Sequence, residues 1–327
     1  MAGRRLLAAV ALALPGALVL PGADARAQAY PAKPVRLIYP TIPGSAFELY
    51  GRLIAQKMSE TLGRPIVGEN RAGANGAIGA DLVAKAAPDG YTLLWSTPAT
   101  LLTPVYLVKS LPFDSRRDFT PISIGAEPLT IMMINPNLPY SNVPGLVDFA
   151  KKNPGKLSFG SSGTGSVFHL MGAVFNHAAG IDMVHVPYKG PPAAVNDVMG
   201  GRIEATFVTL GTAMPLWKSG KVKVIALLAD RRYAAAPELP TFREVLPAYD
   251  VPTSWYALFA PAGTPQPIVR RLYDEFAKAL KSPDVSGALQ KMELAAPVVT
   301  PEQFAAMIAS DIERVSKVIK EVGAKAD

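Results

Sequence analysis

The run Ser161-Ser162-Gly163-Thr164-Gly165-Ser166 joins a short apolar segment to one of helical periodicity, and His169 follows one helical turn after Ser166. A second stretch of this kind, Thr41-Ile42-Pro43-Gly44-Ser45, stands between VRLIYP and AFELYGRLIAQKMSETLG. Glycine lets the backbone come close to an anion, and serine and threonine hydroxyls add donors. The first turn of a following helix presents unpaired N–H groups at its positive dipole end. Loops of these residue types hold phosphates, dinucleotides, carboxylates or a catalytic serine.

A dinucleotide site fails on two counts. Gly163-Thr164-Gly165-Ser166-Val167-Phe168 lacks a third glycine, and Asp182 precedes the next strand instead of ending it. No Gly-Lys-Ser/Thr marks a phosphate loop, and no Gly-x-Ser-x-Gly elbow marks a hydrolase of that type. Ser166 and His169 remain as the pair an exported serine hydrolase would use, which is the enzymatic alternative. His169, His177 and His185 are the only histidines, none four residues from another, and cysteine is absent, so no metal site is expected. His177 and His185 read as core or capping residues, whereas the His169 ring is placed to hydrogen-bond the loop. A carboxylate gripped by both loops is the preferred reading. Ser45, Thr164 and Ser166 then donate hydrogen bonds, and Gly44, Gly163 and Gly165 admit the backbone. Phe47 is placed either to touch the ligand or to make a core contact at a helix start. Tyr188, in VPYKG, follows a strand and has a cleft address, while Trp95, Trp217 and Trp255 read as core or interdomain packing.

The elements that must position these loops repeat one order. VRLIYP, PIVGEN and YTLLWST read as strands, separated by AFELYGRLIAQKMSETLG and GAIGADLVAKAAPDG as helices. KLSFGS, DMVHVPY and RIEATFV repeat that pattern, with VFHLMGAVFNHAAG and PPAAVNDVMGG between them. Each βαβαβ run implies parallel strands with helical crossovers, so two α/β domains are expected. PISIGAEPLTIMMINPNLP (121–139) carries the chain out of the first, and VPTSWYALFAPAGTP (251–265) leads it back. The expected division is 28–127 with 251–327 as the first domain and 128–250 as the second. The long PEQFAAMIASDIERVSKVIKEVG helix is expected to pack on the first. Two crossings between two α/β domains make a hinge and a cleft, where small ligands settle.

The whole chain sets the context. MAGRR, LLAAVALALPGALVL and ADARAQA have the basic, apolar and small-x-small parts of a secretory signal covering 1–27, cleaved before Gln28 or before Tyr30. A membrane anchor is disfavoured because the run is short and a cleavage site follows it. The mature chain has no further run of spanning length and is expected to be soluble, periplasmic and monomeric. The full sequence has 327 residues and 49% hydrophobic content, enough to fill a core without disulfides once the signal is removed. Net charge is +7, but the basic residues are scattered without interleaved aromatics, which suits anionic small molecules better than nucleic acid.

Several segments together carry a family resemblance: YPAKPVRLIYP, GRLIAQKMSETLGRPIVGENRAGANGAIGADLVAKAAPDGYTLL, SLPFDSRRDFTPIS, NPGKLSFGSSGTGSVFHL, GIDMVHVPYKG, SWYALFAPAGTP and PEQFAAMI. From about residue 30 to the C-terminus the chain resembles the Bug-type extracytoplasmic solute receptors of tripartite tricarboxylate transporters. The resemblance implies a type II, two-domain periplasmic binding protein that closes over a small carboxylated solute, without catalysis or cofactor. Its partners would be membrane transporter subunits of the tripartite tricarboxylate type, or a signalling system in a receptor of the same chemistry. The binding positions it implies are Thr41 to Phe47 and Ser161 to Ser166; with the other residues singled out, the candidate ligand set is Thr41, Pro43, Gly44, Ser45, Phe47 and Thr97 from one domain. The other contributes Ser161, Ser162, Gly163, Thr164, Gly165, Ser166, His169, Tyr188, Val208 and Thr209. Departures from the family pattern bear on the ligand: Ser45 replaces a usual glycine, Phe47 a small residue, and Glu48 an aspartate. Val208 stands where aspartate is frequent and Thr209 where asparagine is, and Ser96-Thr97-Pro98 lacks the familiar Asn-Pro. Losing a polar group at Val208 and gaining Phe47 point to a more apolar ligand, aromatic acids included.

Overall fold

The computed structural model describes residues 30–102, 110–164, 166–229, 231–251, 254–297 and 299–321. The signal segment lies outside the described residues. In the first half of the chain, β1 (Val35–Tyr39), β2 (Ile66–Asn70), β3 (Thr92–Ser96) and β4 (Phe119–Pro128) are linked through α1 (Ala46–Leu62), α2 (Ala77–Ala84) and the single turn α3 (Pro98–Leu101). β5 (Thr130–Ile134) begins one residue after β4 and leads into α4 (Val143–Lys152), β6 (Ser158–Ser161), α5 (Val167–Ala179), β7 (Val184–Pro187) and α6 (Pro191–Met199). β8 (Ala205–Thr209), α7 (Leu210–Lys218), β9 (Lys223–Leu228) and α8 (Phe242–Val245) follow. The chain then returns through β10 (Tyr256–Pro261), α9 (Gln266–Leu280), α10 (Pro283–Lys291), β11 (Leu294–Ala295) and α11 (Pro301–Glu321).

These strands make two sheets, ordered β11-β4-β10-β3-β1-β2 and β7-β6-β8-β5-β9. In each, a central strand pairs in parallel with two neighbours, β1 with β2 and β3, and β6 with β7 and β8. In each, the next strand is antiparallel: β10 beside β3, and β5 beside β8. The two copies of the βαβαβ pattern therefore build equivalent sheets, and the strand that breaks the parallel run arrives from the other sheet.

Side-chain alternation decides what each face of a sheet buries. Leu37, Tyr39, Leu93 and Trp95 pack under α1, α9 and α10, while Ile38, Leu94 and Phe259 turn to the opposite face, covered by α2 and α11. In the second sheet Met132, Ala205 and Phe207 share one face, and Ile131, Met133 and Val208 the other. Both faces are covered, as parallel strands require, which is why these strands read as nearly continuous apolar runs.

The terminal helix does more than expected. Phe304 lies fully buried between Trp255 and Phe259, with ring centroids 5.3 and 5.4 Å away. The same helix also packs on α5 of the second sheet's unit, and Arg314 lies 3.7 Å from Asp250. Close to the β4–β5 crossing, β11 pairs Leu294 and Ala295 with Pro128 and Glu127, and Tyr233 donates its hydroxyl to Glu293 at 2.9 Å.

Candidate functional site

Both glycine-serine loops stand at the C-terminal end of the middle strand of their sheet's three parallel strands, β1 and β6, and each ends in a serine that caps the following helix. After β1, Gly44 adopts φ +88°, and a Cβ there would meet open space. Ser45 Oγ accepts the Glu48 backbone N–H at 3.2 Å, and the Glu48 carboxylate turns back to accept the Gly44 N–H at 3.0 Å. This Ser-x-x-Glu arrangement is a capping box shifted by one donor. Arg52 grips the same carboxylate through Nε and donates from Nη2 to Asn70 Oδ1 at 2.8 Å. Asn70 Nδ2 in turn donates to the Thr41 carbonyl at 3.2 Å. Burial opposes ionisation of Glu48, but hydrogen bonds from Arg52 and Gly44, with the Arg52 charge, outweigh it and hold the carboxyl below its ordinary range. The loop is thus clamped at Thr41 and at Gly44 by one chain of polar contacts. Glu48, read from sequence only as a departure from the family pattern, is the hub of that clamp.

Phe47 makes the core contact and keeps part of its ring exposed. Its ring stacks on Trp95 with centroids 6.0 Å apart and meets the edge of Tyr256 at 5.0 Å, while Trp95 Nε1 donates to the Phe47 carbonyl at 3.0 Å. Half-buried, it forms one wall of an aromatic cluster beside the first loop. Thr97 is the half-buried cap residue of α3, and Pro43 is exposed.

The second loop is organised around Ser161, which is 1% exposed. Its Oγ accepts the Gly163 N–H at 3.1 Å, approaches the Gly163 carbonyl at 3.0 Å, and lies 2.7 Å from His185 Nε2. A hydroxyl has one hydrogen, so the imidazole tautomer decides which of the last two contacts it serves. His185 stacks on His169, with centroids 3.9 Å apart, and lies 5.1 Å from Phe159. Burial, then the neighbouring His169, pushes His185 down to about 4, and burial lowers His169 as well. The two rings are therefore neutral at pH 7, and they wall the loop without adding charge. Gly163 has φ +126°, with the Tyr188 carbonyl 3.5 Å from where its Cβ would stand, so a side chain there is strained. Ser162 is half-buried and Thr164 exposed; Gly165 lies outside the described residues.

Ser166 Oγ accepts the His169 backbone N–H at 3.2 Å. The three-residue spacing that suggested a nucleophile and base is therefore the spacing of a helix cap. The serine–imidazole contact instead joins Ser161 to His185, on a buried hydroxyl that holds the Gly163 turn. His185 had been read only as a core or capping residue. Its alternation with Val184 and Val186 on β7, level with Phe159 on β6, is the signal that could have placed it under the loop.

Three further candidates sit differently from expectation. Tyr188 turns its hydroxyl to Asp197 Oδ2 at 2.7 Å, and burial followed by Asp197 pushes it up to about 12. Its backbone N–H instead meets the Ser161 carbonyl at 3.1 Å, joining β7 to the loop. Thr209, half-buried, stands at the N-cap position of α7 without a side-chain capping bond, its Oγ1 2.9 Å from that of Thr212. Val208 requires a correction. It is 1% exposed and packs in the apolar layer with Ile131 and Ala213. Strand alternation turns it to the inner face, so it offers no surface to a ligand and carries no argument about ligand polarity. Among the described residues no three histidine, aspartate or glutamate side chains converge as a metal site, and no helix is long and apolar enough to cross a membrane.

Two equivalent mixed sheets, each fed by a strand from the other, with a capped glycine-serine loop at the same address in both, define a two-domain periplasmic-binding-protein fold. Residues 50–324 match the model of the tripartite tricarboxylate transporter family receptors, and the chain belongs to that family. It is 35% identical to the UPF0065 protein of the tcbD–tcbE intergenic region of Pseudomonas sp., over 97% of this chain and 94% of that one. It is 33% identical to BugT of Bordetella pertussis, over 98% of both. Among solved structures, an R. palustris protein with adipate matches at 31% identity and a TM-score of 0.73, over 90% of this chain and 98% of that one. MatC from Rhodopseudomonas palustris with bound malate matches at 30% identity and a TM-score of 0.70, over 89% and 100%. The chain is a solute-binding receptor of this family, not an enzyme.

Proposed function

We propose that this protein captures a small carboxylated solute in the periplasm between the loops at Thr41–Phe47 and Ser161–Ser166, and presents it to membrane transporter subunits of the tripartite tricarboxylate type. The lobes that close are taken as 28–127 with 251–327, and 128–250. The observation that carries the reading is the equivalence of the two loops: each follows the middle strand of its sheet's parallel trio, contains a glycine at positive φ, and ends in a serine whose Oγ caps a helix. Capping uses a lone pair of the serine, so the O–H hydrogen remains to be donated elsewhere, beside the first-turn N–H groups of the helix. A carboxylate offers acceptors for both.

The ligands of two relatives of about 30% identity, adipate and malate, support a dicarboxylate as the first candidate. Preference for an aromatic acid now rests on Phe47 alone. Thermal-shift titration with malate, adipate and benzoate tests both points. At least one acid is expected to raise the melting temperature, and Gly163→Val is expected to abolish that rise while the apo protein still melts cooperatively. A panel in which no carboxylate stabilises the protein, or a Gly163→Val protein that binds unchanged, overturns the assignment.

A further inference from the structure

Ser161 Oγ lies within hydrogen-bond distance of three groups: the Gly163 N–H at 3.1 Å, the Gly163 carbonyl at 3.0 Å and His185 Nε2 at 2.7 Å. A hydroxyl offers one hydrogen and two lone pairs. All three contacts are hydrogen bonds at once only when the Ser161 hydrogen goes to the Gly163 carbonyl and His185 Nε2 carries a hydrogen donated to Oγ. Ser161 is buried, so this fully paired set is the favoured one. It fixes the neutral tautomer of His185 and leaves Nδ1 as the nitrogen that gains a proton. Protonating His185 therefore adds a positive charge beside the Gly163 turn without breaking a bond that holds the turn.

The surroundings decide whether that charge is present. Neither the loop Ser161–Ser166 nor the first turn of α5 contains a lysine, arginine or acidic residue. From α5 the His185 ring meets His169, with centroids 3.9 Å apart, and His177 lies two turns further along that helix. On β6, Glu204 is held at the far end by the N–H and hydroxyl of Ser158. Asp197 is held by Tyr188 and Arg202, and Asp182 and Lys189, which bracket β7, are exposed. Burial and then His169 are what keep His185 at about 4 in the free protein. A carboxylate held on the loop brings the missing opposite charge to the turn that Ser161 ties to His185, and a nearby opposite charge favours the protonated ring. We propose, resting on the reading of Ser161–Ser166 as a carboxylate loop, that the His169–His185 pair is the counter-charge that selects an anion there: it takes up one proton, on His185 Nδ1, when the carboxylate binds, so that capture is coupled to proton uptake.

The chain has three histidines, so imidazole ¹H–¹³C resonances follow each separately, with His169→Phe and His185→Phe assigning two and His177 as internal reference. With saturating malate, adipate or benzoate, whichever raises the melting temperature, His185 should titrate roughly one to three pH units higher than in the free protein. A group that protonates more readily in the complex tightens binding as the pH falls from its midpoint in the complex to that in the free protein, by up to about tenfold per pH unit. Calorimetry at about pH 5.5, in two buffers of different ionisation enthalpy, should show more proton uptake on binding by the wild type than by His185→Phe. That difference cancels any titration of the acid itself, and the midpoint comparison needs no variant that binds. A His185 midpoint unmoved by bound acid, or equal proton uptake in the two proteins, would overturn the proposal and leave the carboxylate loop standing. Absence of binding by any acid, or binding unchanged in Gly163→Val, would overturn both.

Discussion

Ser45 and Ser166 each cap a helix, the proposed grip gives the same oxygens a second task, and the first can be measured without any ligand. Ser45→Ala removes the acceptor for the Glu48 N–H and should cost about 1 kcal/mol of stability, read by denaturant unfolding with an unchanged slope. His185 makes a prediction in pH. Its folded value of about 4 lies below the ordinary 6.5, so the unfolded chain binds a proton that the folded protein refuses. The stability associated with the neutral ring is complete above about pH 6.5 and is lost as the pH falls toward about 4. The melting temperature of the wild-type protein should therefore drop over that window, and His185→Phe, which keeps a ring in the stack, should flatten the drop. An identical profile in the two proteins would exclude His185 as its source. Part of this level was read in the residues, where glycine and serine before each helix marked the two loops; the Ser45–Glu48 capping box was not, although its spacing stands in the sequence. The partnership of Ser161 with His185 was not, because it spans two strands and depends on their register.

Helices and strands were the most readable part of the chain. The apolar spacing of α1 carries its own stop at Gly63 and most of its face, with Ile54, Met58 and Leu62 buried, although Leu49 of the same pattern is 57% exposed and Tyr50 is buried beside it. α11 shows the limit of such reading. Its amphipathic pattern announces a helix with one apolar face, but not that this face lies on the first sheet while the same helix also meets α5 and Asp250. Phe304 anchors it, wedged between Trp255 and Phe259. Phe304→Ala should destabilise the protein by about 3–5 kcal/mol, the cost of an aromatic-sized cavity in a packed core. A loss below 1 kcal/mol in calorimetry would show that the site collapses around the smaller residue, or that the helix is dispensable.

For the molecule as a whole, the proposed grip by loops on both lobes ties ligand binding to shape. A ligand that contacts both loops only when the lobes are closed shifts the population toward the closed form by its differential affinity for the two states. Small-angle scattering should then show a smaller radius of gyration on addition of the carboxylate that raises the melting temperature, and no change in Gly163→Val. An unchanged radius with saturating ligand would place the ligand on one lobe. Two of the contacts that span the two units, Tyr233 with Glu293 and Arg314 with Asp250, are exposed or half-buried and polar, so their loss on opening costs little, whereas the terminal helix packed on α5 must slide or part.

Local order settled the elements of this protein, their repeated succession, the two glycine-serine loops and, through many short segments at constant spacing, the family. These features depend on neighbours within a few residues, where side-chain periodicity, caps and turn chemistry act directly. Three-dimensional packing alone decided that Val208 faces the core, that Tyr188 spends its hydroxyl on Asp197, that Ser161 meets His185, and that Trp255 is buried with its indole N–H unpaired. Each of those outcomes turns on which face of a strand a residue occupies and which distant segment is laid against it. That is set by sheet register and helix docking, not by the residue's neighbours in the chain.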